Sequence, residues 1–258
     1  GLYEEAIKYL KQVKQTPADS IAENTCLHLG HSYLRVNDIE KAKLSYSAAI
    51  AFGLDHVLRE EAMYNYVQVT YLQNSALGES ITAFQTFIKE YPNSKYIDKV
   101  YALMADMYVN SKNYQAALEA LEEVQRPNDK IEQTKQYLRY QLAADTYLQG
   151  KMGETLKWGE QVIKNSNQST NYQTETYYLS AEAHYHLNQY DQVLSNLSAY
   201  EAQPNYAQSQ NKIAAQYLKP YTYFNQKDYA TAQRAYSAYV AMIHEGDKTY
   251  PDALNRIG

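Results

Sequence analysis

A single cysteine, Cys26, stands in the 258 residues, so neither an internal disulfide nor a cysteine-cluster zinc site can staple this chain. Glycine is scarce as well, nine in all, and none of it builds a phosphate-cradling loop or a dinucleotide fingerprint. GxSxG and HExxH are absent too. No run approaches the roughly 20 apolar residues that a membrane-spanning helix needs. The opening GLYEEAIKYLKQ has neither the charged nor the apolar region of a secretion signal. Basic residues are not in excess: the net charge is −5, with the acids gathered in the N-terminal half. Binding nucleic acid requires a basic surface to neutralise phosphates, so that partner class is not expected. These absences point to a non-catalytic chain with no catalytic residue, no metal and no cofactor.

What is abundant is tyrosine, 29 residues against four Phe and one Trp, within a 45% hydrophobic composition. Tyrosine packs like an aromatic but keeps a hydroxyl for water or a ligand, so much of the expected core has a wet edge. The chain also repeats itself. KDYATAQRAYSAYV (227–240) echoes KNYQAALEALEEV (112–124) and NDIEKAKLSYSAAI (37–50). Aligning the phrase sets anchors at Tyr3, Ile39, Leu77, Tyr114, Met152, Tyr190 and Tyr229, in steps of 36 to 39 residues. After an anchor, apolar residues fall at i+3, i+7 and i+10, as in Ala42, Tyr46 and Ala49, which is one face of an α-helix. A second helix precedes each anchor and carries a small residue with a tyrosine three later: Gly30 and Tyr33, Ala105 and Tyr108, Ala144 and Tyr147. Polar pairs, Asn37-Asp38, Lys112-Asn113 and Lys227-Asp228, mark the turns between them.

Helix pairs with these small and tyrosine positions resemble the tetratricopeptide repeat. The resemblance implies an all-α fold, a right-handed superhelical solenoid of antiparallel helix pairs, about six pairs plus a half-pair at the N-terminus. One solenoid is expected over 1–258, divided as 1–17 (half repeat), 18–54, 55–92, 93–128, 129–168, 169–204, 205–246 and 247–258 (the start of a further repeat). Gly153 to Gly159 fits the pattern poorly, and both ends read as cut from a longer protein. The echoed tyrosines Tyr3, Tyr33, Tyr46, Tyr108, Tyr114, Tyr190, Tyr229 and Tyr236 are expected to be structural. Pro220 stands at the small position of its helix, where a proline kinks the chain. Within the array, ITAFQTFIKEYPNSKYIDKVYALMADMY (81–108) resembles repeats of bacterial envelope proteins, the Tol-Pal-associated periplasmic proteins and the barrel-assembly lipoproteins. Pro92 would end one helix of that segment and Ser94 cap the next. The resemblance implies the periplasm or cell envelope of a bacterium, with the cytoplasm as the alternative.

The same resemblance implies that first helices line a concave face and that this face binds a protein or peptide partner. Carried over by position, the face holds Asn24, Leu27, His31 and Leu34 early in the chain, then Asn65, Val69 and Leu72. Later it turns acidic and aromatic: Asp106, Asp145, Tyr178, Glu182, Tyr185, Tyr217, Tyr221 and Phe224. The lysine and asparagine clamp that some family members close on a carboxylate is not reproduced. A peptide with basic and apolar side chains therefore suits the face, through cation–π contacts and charge-assisted hydrogen bonds. The alternatives are a glycan-binding envelope module using tyrosine faces, and a regulatory array of a larger enzyme or DNA-binding protein. His28 with His31 and His184 with His186 lack further ligands for a metal, and Cys26 reads as a small core residue.

Overall fold

The computed structural model describes residues 1–13, 20–73, 77–165 and 171–258, the side chains of 77, 78 and 171 excepted. The described residues form fourteen α-helices, a short 3-10 turn at Tyr206–Gln208 and no strand. The helices are α1 (Leu2–Leu10), α2 (Ser20–Arg35), α3 (Ile39–Phe52), α4 (His56–Leu72), α5 (Leu77–Glu90), α6 (Ile97–Asn110) and α7 (Tyr114–Glu122). They continue as α8 (Asp129–Leu148), α9 (Met152–Lys164), α10 (Asn171–His186), α11 (Tyr190–Glu201), α12 (Lys212–Asn225), α13 (Tyr229–Val240) and α14 (Tyr250–Asn255). They fall into two compact units, Gly1–Ile131 and Glu132–Gly258. In the first, α2 packs on α3, α3 on α4, α4 on α5 and α6 on α7; in the second, α9 packs on α10, α10 on α11, α11 on α12 and α12 on α13.

The anchors read from the sequence are helix starts. Ile39, Leu77, Tyr114, Met152, Tyr190 and Tyr229 are each the first residue of a helix, and Tyr3 is the second residue of α1. Two residues before five of these starts the backbone turns left-handed: Asn37 (φ 61°), Lys112 (58°), Gly150 (75°), Asn188 (57°) and Lys227 (66°). In each turn the N–H of the next residue reaches back five positions, as in Asp38 to the Tyr33 carbonyl (2.9 Å) and Asp228 to the Tyr223 carbonyl (3.0 Å). The left-handed residue's own N–H reaches back three, as in Lys227 to Phe224 (3.0 Å). This paired closure satisfies carbonyls that the ending helix leaves open. The same two-residue turn then opens the second helix. Asp38, Asn113 and Asp228 accept the N–H of Lys41, Ala116 and Thr231 as N-caps. A reversal this short makes each pair antiparallel.

The i+3, i+7, i+10 stripe is buried in six second helices and half-buried in α1. It runs Ala42, Tyr46, Ala49 in α3 and Ser80, Phe84, Phe87 in α5, then Ala117, Leu121, Val124 in and just after α7. Thr155, Gly159 and Val162 follow in α9, Val193, Leu197 and Tyr200 in α11, Ala232, Tyr236 and Tyr239 in α13. Burying each large apolar member contributes roughly 1.5–3 kcal/mol. Facing this stripe, a small residue stands nine positions before each of five second helices: Gly30, Ala105, Ala143, Ala181 and Pro220, all buried. The need for smallness is direct at Gly30, where an added Cβ would come within 2.4 Å of the Tyr46 ring.

Several expectations are corrected. The small position in α8 belongs to Ala143, fully buried, and not to the half-buried Ala144. Gly159 fits the pattern after all: it stands where α3 has Tyr46, and a Cβ there would lie 3.0 Å from Ser180 Oγ of α10. Tyr3 and Tyr229, in the first turns of α1 and α13, are 48% and 57% exposed and so are not core residues. Tyr33, Tyr46 and Tyr236 are buried as expected; Tyr108, Tyr114 and Tyr190 are half-buried. α5 stops at Glu90, ahead of Pro92, but Ser94 is not the cap of α6. Its hydroxyl accepts the Tyr96 N–H (3.0 Å) within the turn and donates to Glu60 of α4 (2.6 Å). The side chain of the Leu77 anchor lies outside the described residues.

Candidate functional site

Three first helices are each tied to the first helix of the next pair by a tyrosine hydroxyl donating to a carboxylate 35 residues on. In the first unit Tyr71 of α4 donates to Asp106 of α6. In the second, Tyr147 of α8 donates to Glu182 of α10 (3.5 Å), and Tyr217 of α12 donates to Asp252 of α14. Near the start of α2, α4 and α10 another acid reaches toward the next pair: Glu23 accepts the Asp55 N–H (3.0 Å), Glu60 the Ser94 hydroxyl, and Glu175 the Asn211 amide (2.7 Å). The acids of this face are thus rungs between repeats. Their spacing follows from the repeat length, which brings equivalent helix positions side by side.

The structure brings most of the expected site residues together in the second unit. Tyr178 donates to Glu182 Oε1 (2.5 Å), so that carboxylate is gripped at both oxygens. The ring of Tyr185 lies 5.6 Å from that of Tyr221, and its hydroxyl accepts the Asn225 amide (2.7 Å). Tyr221 stacks with Tyr217 at 5.9 Å and 25°. Arg256 of the C-terminal segment lies over Tyr221 (4.5 Å) and Phe224 (4.6 Å), its Nε donating to Asp252 (2.9 Å). Burial, with Tyr221 alongside, pushes the Tyr185 phenol up to about 12. Burial and Glu182 likewise raise Tyr178, so both stay neutral hydrogen-bonding phenols at neutral pH. Asp106 is in the first unit, exposed and bonded to Tyr71. Asp145, half-buried in α8, lies one residue off the row, since Ala143 rather than Ala144 holds the small position.

Glu182, Tyr185, Tyr217 and Tyr221 line one cleft of about 510 Å³ in the second unit; Tyr178 and Phe224 stand outside its lining. The other walls come from His186, Gln210, Ile213, Ala214, Leu218, Tyr239, Asp247 and Thr249. Sequence reasoning missed Ile213, although it precedes Tyr217 and Tyr221 by one and two helical turns on the same face. Asp247 and Thr249 come from the loop before α14, which carries no periodic signal. Asp247 accepts the Thr249 N–H (3.0 Å) and hydroxyl (2.6 Å), bonds that hold its carboxyl below the usual range. A second cleft, about 540 Å³, lies between α3, α4 and α5 in the first unit, and its acid Glu79 is engaged by Lys43 (2.5 Å) and Tyr66 (3.1 Å).

The other candidate side chains have local roles. Cys26 is buried, and burial pushes its thiol up, away from nucleophilic use. His31 is half-buried beside Asn65 (3.3 Å) and Glu61 (3.6 Å), and His184 Nδ1 lies 2.6 Å from Gln189 Oε1 in its turn. Among the described residues no three His, Cys, Asp or Glu side chains converge as metal ligands, and no helix is long and apolar enough to cross a membrane.

The tetratricopeptide repeat model matches residues 23–52 and 98–126, which are the α2–α3 and α6–α7 pairs. No curated protein matches the chain. Among solved structures, it is similar to a C-terminal part of a repeat-containing protein from Cytophaga hutchinsonii (15% identity, TM-score 0.45, 98% of this chain and 95% of that one). It is also similar to a tetratricopeptide repeat protein from Parabacteroides merdae (12%, 0.43, 99% and 98%) and to PilF of Pseudomonas aeruginosa (13%, 0.41, 99% of both). The two matched pairs, α2–α3 and α6–α7, are thus tetratricopeptide repeats, and the same left-handed turn and buried stripe recur in the α8–α9, α10–α11 and α12–α13 pairs.

Proposed function

We propose that the protein is a non-catalytic scaffold that binds a peptide or protein partner on the face formed by its first helices, with the tyrosine-lined cleft of the second unit as the contact. Tetratricopeptide folds generally serve protein–protein interaction. The observation that carries the reading is the convergence of Glu182, Tyr185, Tyr217 and Tyr221 on a single cleft wide enough for side chains of an extended segment. Rigid walls favour such binding, because the receptor loses little freedom when its partner docks. A bacterial envelope location, implied by the Ile81–Tyr108 segment, belongs to the same reading and is checked by fractionating the native cell.

The test is selection from a displayed random-peptide library on the immobilised full chain, repeated with Tyr185→Ala/Tyr221→Ala. Enrichment by the parent that falls at least ~tenfold in the variant, about 1.4 kcal/mol of binding, with helical content unchanged, supports the assignment. Equal enrichment by both overturns the cleft as the contact. Enrichment of no peptide, alongside retention of defined glycans, favours the sugar-binding alternative, since tyrosine rings also stack on sugars.

A further inference from the structure

The cleft has an uneven chemistry. Two carboxylates line it, Glu182 and Asp247, and among its lining residues there is no lysine or arginine. Both carboxylates are held in place, Glu182 by the hydroxyls of Tyr178 and Tyr147 and Asp247 by the N–H and hydroxyl of Thr249. An ionised carboxylate has about four acceptor sites, so each retains capacity for a further donor. Tyr185, Tyr217 and Tyr221 line the same cleft; Tyr221 already carries Arg256 over its ring, so the aromatic surface falls to Tyr185 and Tyr217.

The molecule already shows what these groups do with a cation. Arg256 lies over Tyr221 and Phe224 and donates to Asp252, which in turn accepts the Tyr217 hydroxyl. That arrangement combines a guanidinium, two aromatic faces and a carboxylate steadied by a tyrosine. The cleft repeats the aromatic and carboxylate parts with Tyr185, Tyr217 and Glu182. A planar guanidinium satisfies both demands at once, stacking on a ring while its edge donates to a carboxylate, which a lysine ammonium does less well.

Resting on the peptide-binding reading above, we propose that the cleft anchors an arginine side chain of the partner segment, stacked on the tyrosine rings and hydrogen-bonded to Glu182 or Asp247. The arginine sets which segments bind, and the rest of the face adds contact along the backbone.

Two probes test this on the full chain. The first is N-acetyl-arginine amide against its neutral isostere N-acetyl-citrulline amide, followed by NMR of ring-labelled tyrosine. The arginine probe is expected to shift Tyr185, Tyr217 and Tyr221 and to bind at least ~tenfold more tightly than citrulline, the scale of one charge-assisted hydrogen bond. Glu182→Gln/Asp247→Asn is expected to abolish that preference. Because Glu182 also holds two tyrosines, Ile213→Lys serves as a second variant: the residue is 43% exposed at the cleft wall, and a new cation there repels the probe without touching the core. Equal shifts by both probes, no shift by either, or a preference that survives both variants overturns the anchor. The second probe is a pair of random-peptide pools, with and without arginine. Retention of both pools equally removes the anchor and leaves the scaffold reading standing, whereas retention of neither removes the scaffold reading as well.

Discussion

Tyr46 shows how tightly single residues are fitted here. Its ring fills the space left by Gly30, and its hydroxyl is buried with no hydrogen-bond partner among the described residues; the hydroxyl of Tyr236, at the same position of α13, is alike. Burial raises both phenols. An unpaired buried hydroxyl costs free energy, so Tyr46→Phe is expected to leave stability unchanged or raise it by up to ~1 kcal/mol. Tyr46→Ala opens a cavity and loses ~3–5 kcal/mol. Gly30→Ala gains ~1 kcal/mol in helix propensity but drives a methyl into the ring, a steric cost of ~1–3 kcal/mol, and the net is a loss. Urea denaturation of the three variants checks the order, and a Gly30→Ala protein more stable than its parent would refute the close approach. The same reasoning demotes Tyr229: at 57% exposure, its replacement by Ala should change stability by less than ~1 kcal/mol.

At the scale of the element, the two-residue turn is the unit that recurs, and its chemistry varies while its geometry does not. Lys112 and Lys227 hold left-handed backbones that Gly150 adopts without a Cβ penalty. Lys227→Gly is therefore expected to stabilise by roughly 0.5–1 kcal/mol and Gly150→Ala to destabilise by about 1 kcal/mol, read from thermal melts. Asp228 caps α13 through the Thr231 N–H and side chain, and those bonds hold its carboxyl below the usual 3.8. A depressed folded value means the cap's contribution is full above the unfolded value, near 4, and drains away as pH falls through the folded one. Asp228→Asn keeps an acceptor and should flatten this acid dependence; an unchanged profile would show that the cap is not its source. These turns were legible because Asn, Asp and Lys at fixed offsets from a periodic apolar stripe mark a helix end and the next helix start. The α8 register was not, because Ala143 and Ala144 are adjacent alanines with tyrosines on both sides, and only burial separates them. The aromatic half of the cleft was legible from helix positions. The loop half, Asp247 and Thr249, was not, since loops place side chains by contacts that have no period.

For the molecule as a whole, the preponderance of tyrosine over phenylalanine, 29 to four, ties stability to alkaline pH. Tyr71 is pushed up to about 12 by its bond to Asp106 and by burial, and Tyr185 and Tyr200 reach about 12 chiefly through burial. Tyr46, Tyr178, Tyr217 and Tyr236 are raised as well, again first by burial. A folded value above the unfolded one, about 10, means the fold favours the neutral phenol. Its contribution is complete below pH ~10 and is lost as pH rises toward the folded values, because the unfolded chain gives up its protons first. Both units should feel this, since Tyr46 and Tyr71 belong to the first and the others to the second. Titrating tyrosinate absorbance alongside circular dichroism is expected to show folded protein ionising later than the same chain in denaturant, with the remaining phenols released in the step that collapses the helical signal. Ionisation that overlays the denatured curve while helicity persists would mean that these hydroxyls face water, and the tyrosine–carboxylate rungs between first helices would fall with it.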